Sequence, residues 1–553
     1  MRKILIISKS ALLFSFILSA SFLLRMTPSK GCVLEFVSDS AFNYRMTASV
    51  IQKGSVPIID RLSIYPEGKN IRNFLPIGLY HAGAVFHRFL NIFRQIPLNE
   101  SLLIFAAFFS SLICVPVYFL SLEIYRNEKI IAFLCAFLSA IIPAYLHRTF
   151  CYMYRYEVLA APLLFMSLLF FIMAFREKNG KLRFICYFGA SLFCLMLASW
   201  VWRLYVLFLI AYLISSAYLC LKRRNLLGNE RIKIIISGAC ILLLFSAFGL
   251  VQIPGYSGLP HFRTFLEILM QRLYIPYDFS QFSKVIYYVN ELSGVSILGL
   301  LGANFLSFSG IFAIFYLYTC FRKQKFNPQK FILQFFLILF LVLTLLFSRL
   351  KIILGPLVAL SAGESLSFIF HNDRKIMKKI LLGILVIIFV KTGCDAWRLA
   401  STRFKYADMD TELKQAISAV NRLTSKNSVI LCDWGQGYSI QTYCNRPTIT
   451  DGLLESPEII KRIIRVAKIF SSYDEETLWF FCKEYGATHI LVAKRLDYAF
   501  AYSQYSGRGF TMGKGANDKD VPLIYKLFYR SPDLKRIDFL YENKGFILYA
   551  LKH

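Results

Sequence analysis

The chain has 553 residues, of which 57% are hydrophobic and 53 are Phe, and its mean hydropathy is +0.53. This composition excludes an ordinary soluble protein and is typical of a membrane protein. The formal net charge of +30 does not indicate a nucleic-acid partner. Most basic residues lie in short loops between apolar segments, where such residues orient a chain in the bilayer.

About eleven apolar segments approach the roughly 20 residues that a helix needs to cross the hydrocarbon core. These segments are residues 4–24, 101–121, 130–146, 158–175, 184–199, 203–221, 234–252, 295–320, 331–348, 351–370 and 380–396. The first follows Arg2 and Lys3 and lacks a small-residue cleavage site, so we expect an uncleaved span rather than a signal peptide. The sequence therefore predicts a polytopic α-helical membrane bundle of about 11 to 13 transmembrane helices.

Clusters of Arg and Lys occupy alternate loops, for example at residues 222–233 and 374–379. The positive-inside rule assigns these loops to the cytoplasm. The other loops then face outward, and two of them are long, at about 25–100 and 253–294. We expect a transmembrane domain over residues 1–397 and an extracytoplasmic domain over residues 398–553.

The C-terminal domain is less hydrophobic, and its apolar period changes from one segment to the next, which predicts a soluble α/β domain. Ser472 and Glu475 have the spacing of a capping box, and Gly486 is placed to end the helix that they begin. Cys432 and Cys444 are candidates for a disulfide, although spacing alone does not establish one. The other predicted elements are helices at 411–423 and 457–470 and strands at 427–432, 489–493 and 546–551.

Three acidic residues lie where predicted outer loops meet spans, namely Asp39, Glu157 and Glu291. Carboxylates that converge there are suited to a divalent cation, because hard cations prefer oxygen ligands. A carboxylate at the membrane is also costly, which makes each one a functional candidate. Taken singly, each is more simply explained as a solvated loop end or a salt-bridge partner.

Five arginines lie on the predicted outer side, against the positive-inside bias. A cluster of guanidinium groups can bind a diphosphate through paired hydrogen bonds. The alternative is that these side chains reach lipid headgroups. The five residues are Arg45, Arg148, Arg155, Arg203 and Arg349.

Residues 433–438 follow the first predicted strand of the outer domain. Gly435 and Gly437 permit a tight turn, and Trp434 and Tyr438 can line a groove for a peptide. The alternative is an ordinary turn after a strand.

Four segments resemble, in this order, the catalytic subunit of oligosaccharyltransferase, the family that includes the bacterial and archaeal single-subunit enzymes. They are residues 38–45, 148–157, 289–292 and 433–438. The first segment is similar to the family's first-loop pattern and gives Asp39 the position of a metal-binding Asp. The third gives Glu291 the position of a Glu that binds metal and the acceptor amide. Arg349 begins a stretch similar to an Arg-led family span.

Two segments depart from the family pattern. In the second, Arg155 stands where the family has an Asp, so either Glu157 supplies the ligand alone, or the metal site is weakened, or Arg155 contacts the donor phosphates. In the fourth, which resembles the WWDYG motif, Trp434, Gly437 and Tyr438 match. Asp433 replaces the first Trp, and Gly435 replaces the Asp.

The resemblance implies a single-subunit oligosaccharyltransferase of the plasma membrane. Such an enzyme moves a glycan from a polyprenyl-diphosphate carrier to an Asn side chain of an acceptor polypeptide. The resemblance also implies a divalent cation, Mn²⁺ or Mg²⁺, held by Asp39, Glu157 and Glu291. Asp39 and Glu291 would also activate the acceptor amide. The implied donor-diphosphate ligands are Arg45, Arg148, Arg155, Arg203 and Arg349, and the implied acceptor-binding residues are Asp433, Trp434, Gly437 and Tyr438.

Two other functions stay open. One is a related transferase that uses a polyprenyl-linked sugar but modifies a non-Asn acceptor, and the two altered motifs favour it. The other is a non-catalytic homologue or a transporter, for which Arg155 is the best support. A transporter should place ionisable residues in the middle of its spans, whereas here they gather at the outer ends.

Overall fold

A computed structural model describes residues 2–29, 35–71, 75–176, 181–222, 270, 295–322, 327–371, 373–407, 410–452, 457–495, 502–503, 506 and 521–552. The chain divides into two compact units. The helical unit comprises Met1–Val33, Pro76–Pro254 and Gly294–Ala407. The α/β unit comprises Leu34–Leu75, Gly255–Ser293 and Asp408–His553.

The helices of the described residues are numbered here in chain order. They are α1 (Arg2–Met26), α2 (Asp39–Lys53), α3 (Gly78–Phe93), α4 (Leu98–Ser111), α5 (Cys114–Ile124), α6 (Lys129–Ile141), α7 (Pro143–Leu146), α8 (Glu157–Arg176), α9 (Lys181–Val201), α10 (Tyr205–Lys222), α11 (Ile297–Leu300), α12 (Gly310–Arg322), α13 (Pro328–Leu346), α14 (Lys351–Phe370), α15 (Lys375–Ala407), α16 (Thr411–Leu423), α17 (Trp434–Tyr443), α18 (Pro457–Phe470), α19 (Glu475–Glu484) and α20 (Leu523–Phe528). The strands are β1 (Ile59–Asp60), β2 (Lys69–Asn70), β3 (Ile430–Cys432), β4 (His489–Ala493), β5 (Ile537–Glu542) and β6 (Phe546–Leu551).

Within the described ranges, seven helical segments are long and apolar enough to cross a bilayer, and two shorter apolar helices accompany them. The seven are Leu12–Ser29, Leu98–Ile124, Glu157–Arg176, Leu182–Val201, Pro328–Leu346, Ser348–Phe370 and Lys375–Thr402, and the shorter ones are Lys129–Ile141 and Tyr205–Leu219. The predicted class, a multi-pass α-helical membrane protein, is confirmed. The predicted span 234–252 and nearly all of the loop 253–294 lie outside the described residues.

Two predicted spans are interrupted. The segment 130–146 breaks at Ile142, whose ψ of 121° is extended, because a following proline disfavours the helical conformation. The segment 295–320 forms the four-residue α11, a 3-10 turn and then α12. At Gly310, where α12 begins, a Cβ atom would lie 2.6 Å from Leu301, so the absence of a side chain lets the turn fold closely against the helix.

Helix α14 lies at the centre of the helical unit, since nearly all of its side chains are buried. It packs against α6 and α7, and Gly355 allows the close approach, because a Cβ there would lie 3.3 Å from the Tyr145 backbone nitrogen. Arg349 lies in the 3-10 turn that precedes α14. This packing therefore brings Arg349 towards the residues that follow α7.

The α/β unit is built on a four-stranded sheet with the order β3-β4-β6-β5. Strands β3 and β4 are parallel and the other pairs are antiparallel. Apolar residues of α16 and α17, such as Leu413 and Ile440, pack on one face. Residues of α18 and α19, such as Ile463 and Phe481, pack on the other face. Helices thus cover both faces of the sheet, which confirms the predicted α/β class.

Several details of this unit differ from the sequence predictions. The helix that contains residue 398 continues to Ala407, so the C-terminal part of the α/β unit begins at Asp408, and Leu34–Leu75 belongs to this unit as well. The predicted capping box is wrong, because Asp474 caps α19 by accepting hydrogen bonds from the backbone of Glu476 and Thr477. Cys432 and Cys444 are free, buried thiols.

Candidate functional site

Glu157 of the helical unit is the centre of an arginine cluster. Its side chain is fully buried, and its Oε1 atom accepts hydrogen bonds from Arg148 Nη2 at 2.8 Å and Arg349 Nε at 3.1 Å. Arg349 Nη2 lies 3.0 Å from the same oxygen. The charge of Arg155, also a buried residue, acts on Glu157 as well. The structure therefore brings together four of the predicted site residues.

The local fold explains this convergence. Glu157 is the first residue of α8, where the exposed N–H groups of a helix favour a negative charge. Arg148 follows the short helix α7, and Arg349 precedes α14, which packs on α7. Three chain segments thus meet at one carboxylate.

The charge of the cluster favours an anion. Glu157 contributes one negative charge, while Arg148, Arg155 and Arg349 contribute three positive charges, so the formal excess is about two positive charges. Guanidinium groups bind phosphate oxygens in a fixed, paired geometry. A diphosphate is therefore a suitable ligand for the arginines that Glu157 orients.

One feature of Glu157 fits a cation. Its Oε2 atom is buried and has no hydrogen-bond partner among the described residues. An unsatisfied buried carboxylate oxygen is costly, and a divalent cation is a ligand that would satisfy it. Glu291 lies outside the described residues, and within those that are described no three His, Cys, Asp or Glu residues form a cluster able to hold a metal ion.

Asp39 is the first residue of α2 in the α/β unit, and it is half-buried. The preceding Ser38 has a φ of 54° and does not cap the helix with its side chain. A carboxylate in the first turn of a helix is favoured by the free N–H groups there. The fold thus places Asp39 at a helix start rather than within a loop.

Arg45, on the same helix, takes part in a buried network. Its Nη1 and Nη2 atoms donate to the two oxygens of Asp60 at 2.8 and 2.6 Å, and Nη2 also donates to Gln441 Oε1 at 2.8 Å. Burial alone would lower the pKa of Arg45, but the charge and the hydrogen bonds of Asp60 raise it. This geometry favours a structural role for Arg45 over the predicted contact with the donor diphosphate.

Residues 434–443 form the helix α17, where a turn was predicted. Asp433 caps it, because one side-chain oxygen accepts from the Gly435 nitrogen at 2.8 Å and the other accepts from the Tyr502 hydroxyl at 2.6 Å. Asp433 therefore serves the local fold. Trp434 is half-exposed at the start of the helix and is the residue of this run best placed to meet a ligand.

Tyr438 and Gly437 face the interior of the unit. Tyr438 is buried, and its ring centroid lies 4.9 Å from that of Phe42 on α2. A Cβ on Gly437 would lie 2.5 Å from the Thr450 carbonyl oxygen. Both residues thus hold α17 in place.

Arg203 lies in the turn between α9 and α10 and is half-buried. The sequence reasoning missed Gln441 as a site candidate and assigned no role to Asp60 or Asp451. The only sequence signal was that these three polar residues follow segments 38–45 and 433–438, which resemble family motifs.

Comparison with known proteins finds a matching family profile and similar solved structures. The profile of the family described as oligosaccharyl transferase STT3, N-terminal, matches residues 12–392. The structure of an Archaeoglobus fulgidus oligosaccharyltransferase tethered with an acceptor peptide containing the NVT sequon is similar, with a TM-score of 0.68 and 15% identity over 98% of this chain and 74% of that chain. No curated protein sequence matches.

Two further solved structures share the fold. The archaeal oligosaccharyltransferase AglB from Archaeoglobus fulgidus, in complex with an inhibitory peptide and a dolichol-phosphate, has a TM-score of 0.68 and 14% identity over 98% of this chain and 74% of that chain. ArnT from Cupriavidus metallidurans, bound to undecaprenyl phosphate, has a TM-score of 0.52 and 11% identity over 98% of this chain and 97% of that chain.

The spans and the profile match together define a membrane-bound glycosyltransferase. The chain belongs to the oligosaccharyl transferase STT3 family, whose profile covers well over half of its length.

Proposed function

We propose that this protein transfers a glycan from a polyprenyl-diphosphate carrier to an Asn side chain of an acceptor polypeptide, at the extracytoplasmic face of a plasma membrane. The observation that carries the proposal is the arginine cluster around Glu157, which has the charge and the donor groups to bind a diphosphate. The acceptor peptide and the dolichol-phosphate in the archaeal complexes belong to those proteins, but both ligands have the chemistry proposed here.

In the proposed reaction, Arg148, Arg155 and Arg349 bind oxygens of the donor diphosphate. The acceptor amide nitrogen attacks the anomeric carbon, the bond from that carbon to the phosphate oxygen breaks, and the lipid diphosphate leaves. The amide proton passes to a carboxylate, for which we propose Asp39. A single displacement of this kind inverts the anomeric centre.

We propose Asp39, Glu157 and Glu291 as ligands of a divalent cation, Mn²⁺ or Mg²⁺. The unpartnered Oε2 atom of Glu157 supports this part of the proposal. When bound, the cation would stabilise the negative charge on the leaving diphosphate. We further propose that Trp434 contacts the acceptor chain, because it is the half-exposed aromatic residue at the start of α17.

The test uses the full chain in lipid nanodiscs with a polyprenyl-diphosphate glycan and a peptide that contains one Asn-x-Thr sequence. Mass spectrometry should find the glycan on the Asn, and Asp39→Ala should abolish the product. Glu35→Ala is the matched control, since Glu35 is a carboxylate of the same segment whose Lys414 contact is long, at 3.6 Å. Full transfer by Asp39→Ala would refute the assignment.

A second function is favoured by one observation. Asp433 is engaged as a helix cap and Gly435 stands at the position of the motif's Asp, so the carboxylate of the family motif is absent from its usual place. Transfer to a non-Asn acceptor would appear in the same assay as a glycan on Ser, Thr or a lipid, with the Asn unmodified.

A further inference from the structure

The start of α2 and the C-terminal part of α17 belong to the same compact unit and are held together by direct contacts. The Tyr443 hydroxyl donates to the Phe36 carbonyl at 2.8 Å, and the Thr442 hydroxyl donates to the Ala41 carbonyl at 3.2 Å. The rings of Phe42 and Tyr438 also pack together. Helix α2 carries Asp39, the proposed proton acceptor, and α17 carries Trp434.

Gln441 is the polar centre of this contact. It is fully buried, and its amide joins two charged groups of opposite sign. Its Oε1 atom accepts from Arg45, while its Nε2 atom donates to Asp451 Oδ2 at 2.8 Å and to Thr448 Oγ1 at 2.7 Å. The orientation of the amide is fixed by its partners, because a guanidinium only donates and a carboxylate only accepts.

The network extends beyond Gln441 on both sides. Arg45 is anchored by Asp60 of strand β1, and Asp451 accepts a hydrogen bond from the Ser63 hydroxyl. Asp60, Ser63 and Asp451 are all buried. Within this network, Arg45 Nε has no hydrogen-bond partner among the described residues. The hydrogen bonds that are made favour this packing arrangement, because losing them would leave further buried donors and acceptors unpaired.

We propose that Gln441 is a positioning residue that fixes the direction of Asp39 relative to an acceptor bound at Trp434. Arg45 lies about 9 Å along the helix axis from Asp39, so a tilt of α2 at Arg45 displaces the carboxylate. Trp434 and Gln441 lie about two turns apart on one face of α17. This inference rests on the proposed function, in which Asp39 receives the proton of the acceptor amide.

The most specific measurement is the share of the donor glycan that is transferred to each of two nucleophiles. Water is a competing acceptor that releases free glycan, while the peptide gives glycopeptide. A displaced Asp39 lowers the ratio of glycopeptide to free glycan. Loss of folded protein lowers both products equally and leaves the ratio unchanged, so the ratio separates a positioning role from a merely structural one.

Three variants test the network with this ratio. Gln441→Met keeps the size and removes the hydrogen bonds, and Gln441→Glu places a second carboxylate beside Asp451. Each should lower the ratio about fivefold or more, which corresponds to roughly 1 kcal/mol. In the double variant Gln441→Glu with Asp451→Asn, the carboxylate accepts from Arg45 and the new amide donates back to it, so the formal charge is unchanged and the ratio should recover to within about twofold.

Tyr549→Phe is the matched control. It also removes one buried hydrogen bond of the α/β unit, to the Leu527 carbonyl at 2.6 Å, but it lies on β6 and not on α2 or α17. It should leave the ratio unchanged. Hydrogen exchange of the α2 amides gives an activity-independent readout, and it should rise in Gln441→Met but not in Tyr549→Phe.

The outcomes are distinguishable. If Asp39→Ala lowers the ratio while Gln441→Met and Gln441→Glu leave both the ratio and α2 exchange at the wild-type level, the positioning role is refuted and the proposed function stands. If wild-type protein forms no product, or if Asp39→Ala has no effect, the proposed function fails and the inference fails with it. Should Gln441→Glu not fold, Gln441→Met and Gln441→Asn decide the question.

Discussion

Arg349 directs both its Nε and Nη2 atoms to a single oxygen of Glu157, at 3.1 and 3.0 Å, although the two residues are 192 positions apart in the chain. The other oxygen of that carboxylate has no hydrogen-bond partner among the described residues. The carboxylate therefore orients arginines through one oxygen and keeps the other available to a ligand.

Replacing Glu157 should destabilise the protein strongly. In Glu157→Ala, Arg148 and Arg349 lose their buried counter-charge, and removal of one partner of a buried ion pair typically costs about 3–5 kcal/mol. We expect a clearly lower melting temperature in detergent. Glu123→Ala is the control, since its partner Arg176 is exposed by 52%, and an exposed pair contributes at most about 1 kcal/mol. Equal melting shifts in the two variants would contradict the assignment.

Arg155 should weaken cation binding near Glu157. Arg155→Asp removes a positive charge and supplies a carboxylate, so Mn²⁺ affinity, measured by electron paramagnetic resonance on inactive as well as active protein, should rise about tenfold or more. Arg155→Met removes the charge alone and should give an intermediate affinity. If all three proteins bind Mn²⁺ equally, Arg155 does not act on the proposed cation.

The sequence predicted those elements whose limits are set by local residues. Helices α16 and α18 have the bounds expected from their apolar periodicity, and each has a clear start, with the Asp410 cap and Pro457 in the first turn. Strands β4 and β6 also match, because short apolar runs between helices favour buried strands.

What the sequence did not predict depends on distant contacts. Gly435 and Gly437 are poor helix formers, and the helix α17 forms there with the help of the Asp433 cap and of close packing against residues 450 and 451. Likewise, Arg45 and Gln441 are 396 positions apart, so no local pattern indicates their hydrogen bond. The acidic residues were identified by their positions at the ends of predicted spans and by resemblance, but the paired arginines on Glu157 required the fold.

Gly437→Ala should destabilise the α/β unit. The added methyl group would lie 2.5 Å from the Thr450 oxygen and 2.8 Å from the Asp451 backbone, and overpacking of this kind costs about 1–3 kcal/mol. Gly393→Ala in α15 is the control, because a Cβ there meets nothing within 4 Å and alanine favours a helix. We expect faster hydrogen exchange in α17 only for Gly437→Ala, and unchanged exchange would show that the helix can shift without cost.

The cap of α19 should make a pH-dependent contribution. Hydrogen bonds from the Thr477 side chain and from the backbone of Glu476 and Thr477 lower the pKa of Asp474. A carboxylate with a lowered folded-state pKa stabilises the fold above its unfolded pKa, and this stabilisation is lost as the pH falls through the folded value. Asp474→Ala should therefore cost about 1 kcal/mol at pH 7, measured by urea unfolding, and the difference from wild type should shrink below about pH 4. Asp533→Ala, at an exposed carboxylate, should change stability little at either pH. A constant difference for Asp474→Ala across that range would mean that the cap acts through shape rather than charge.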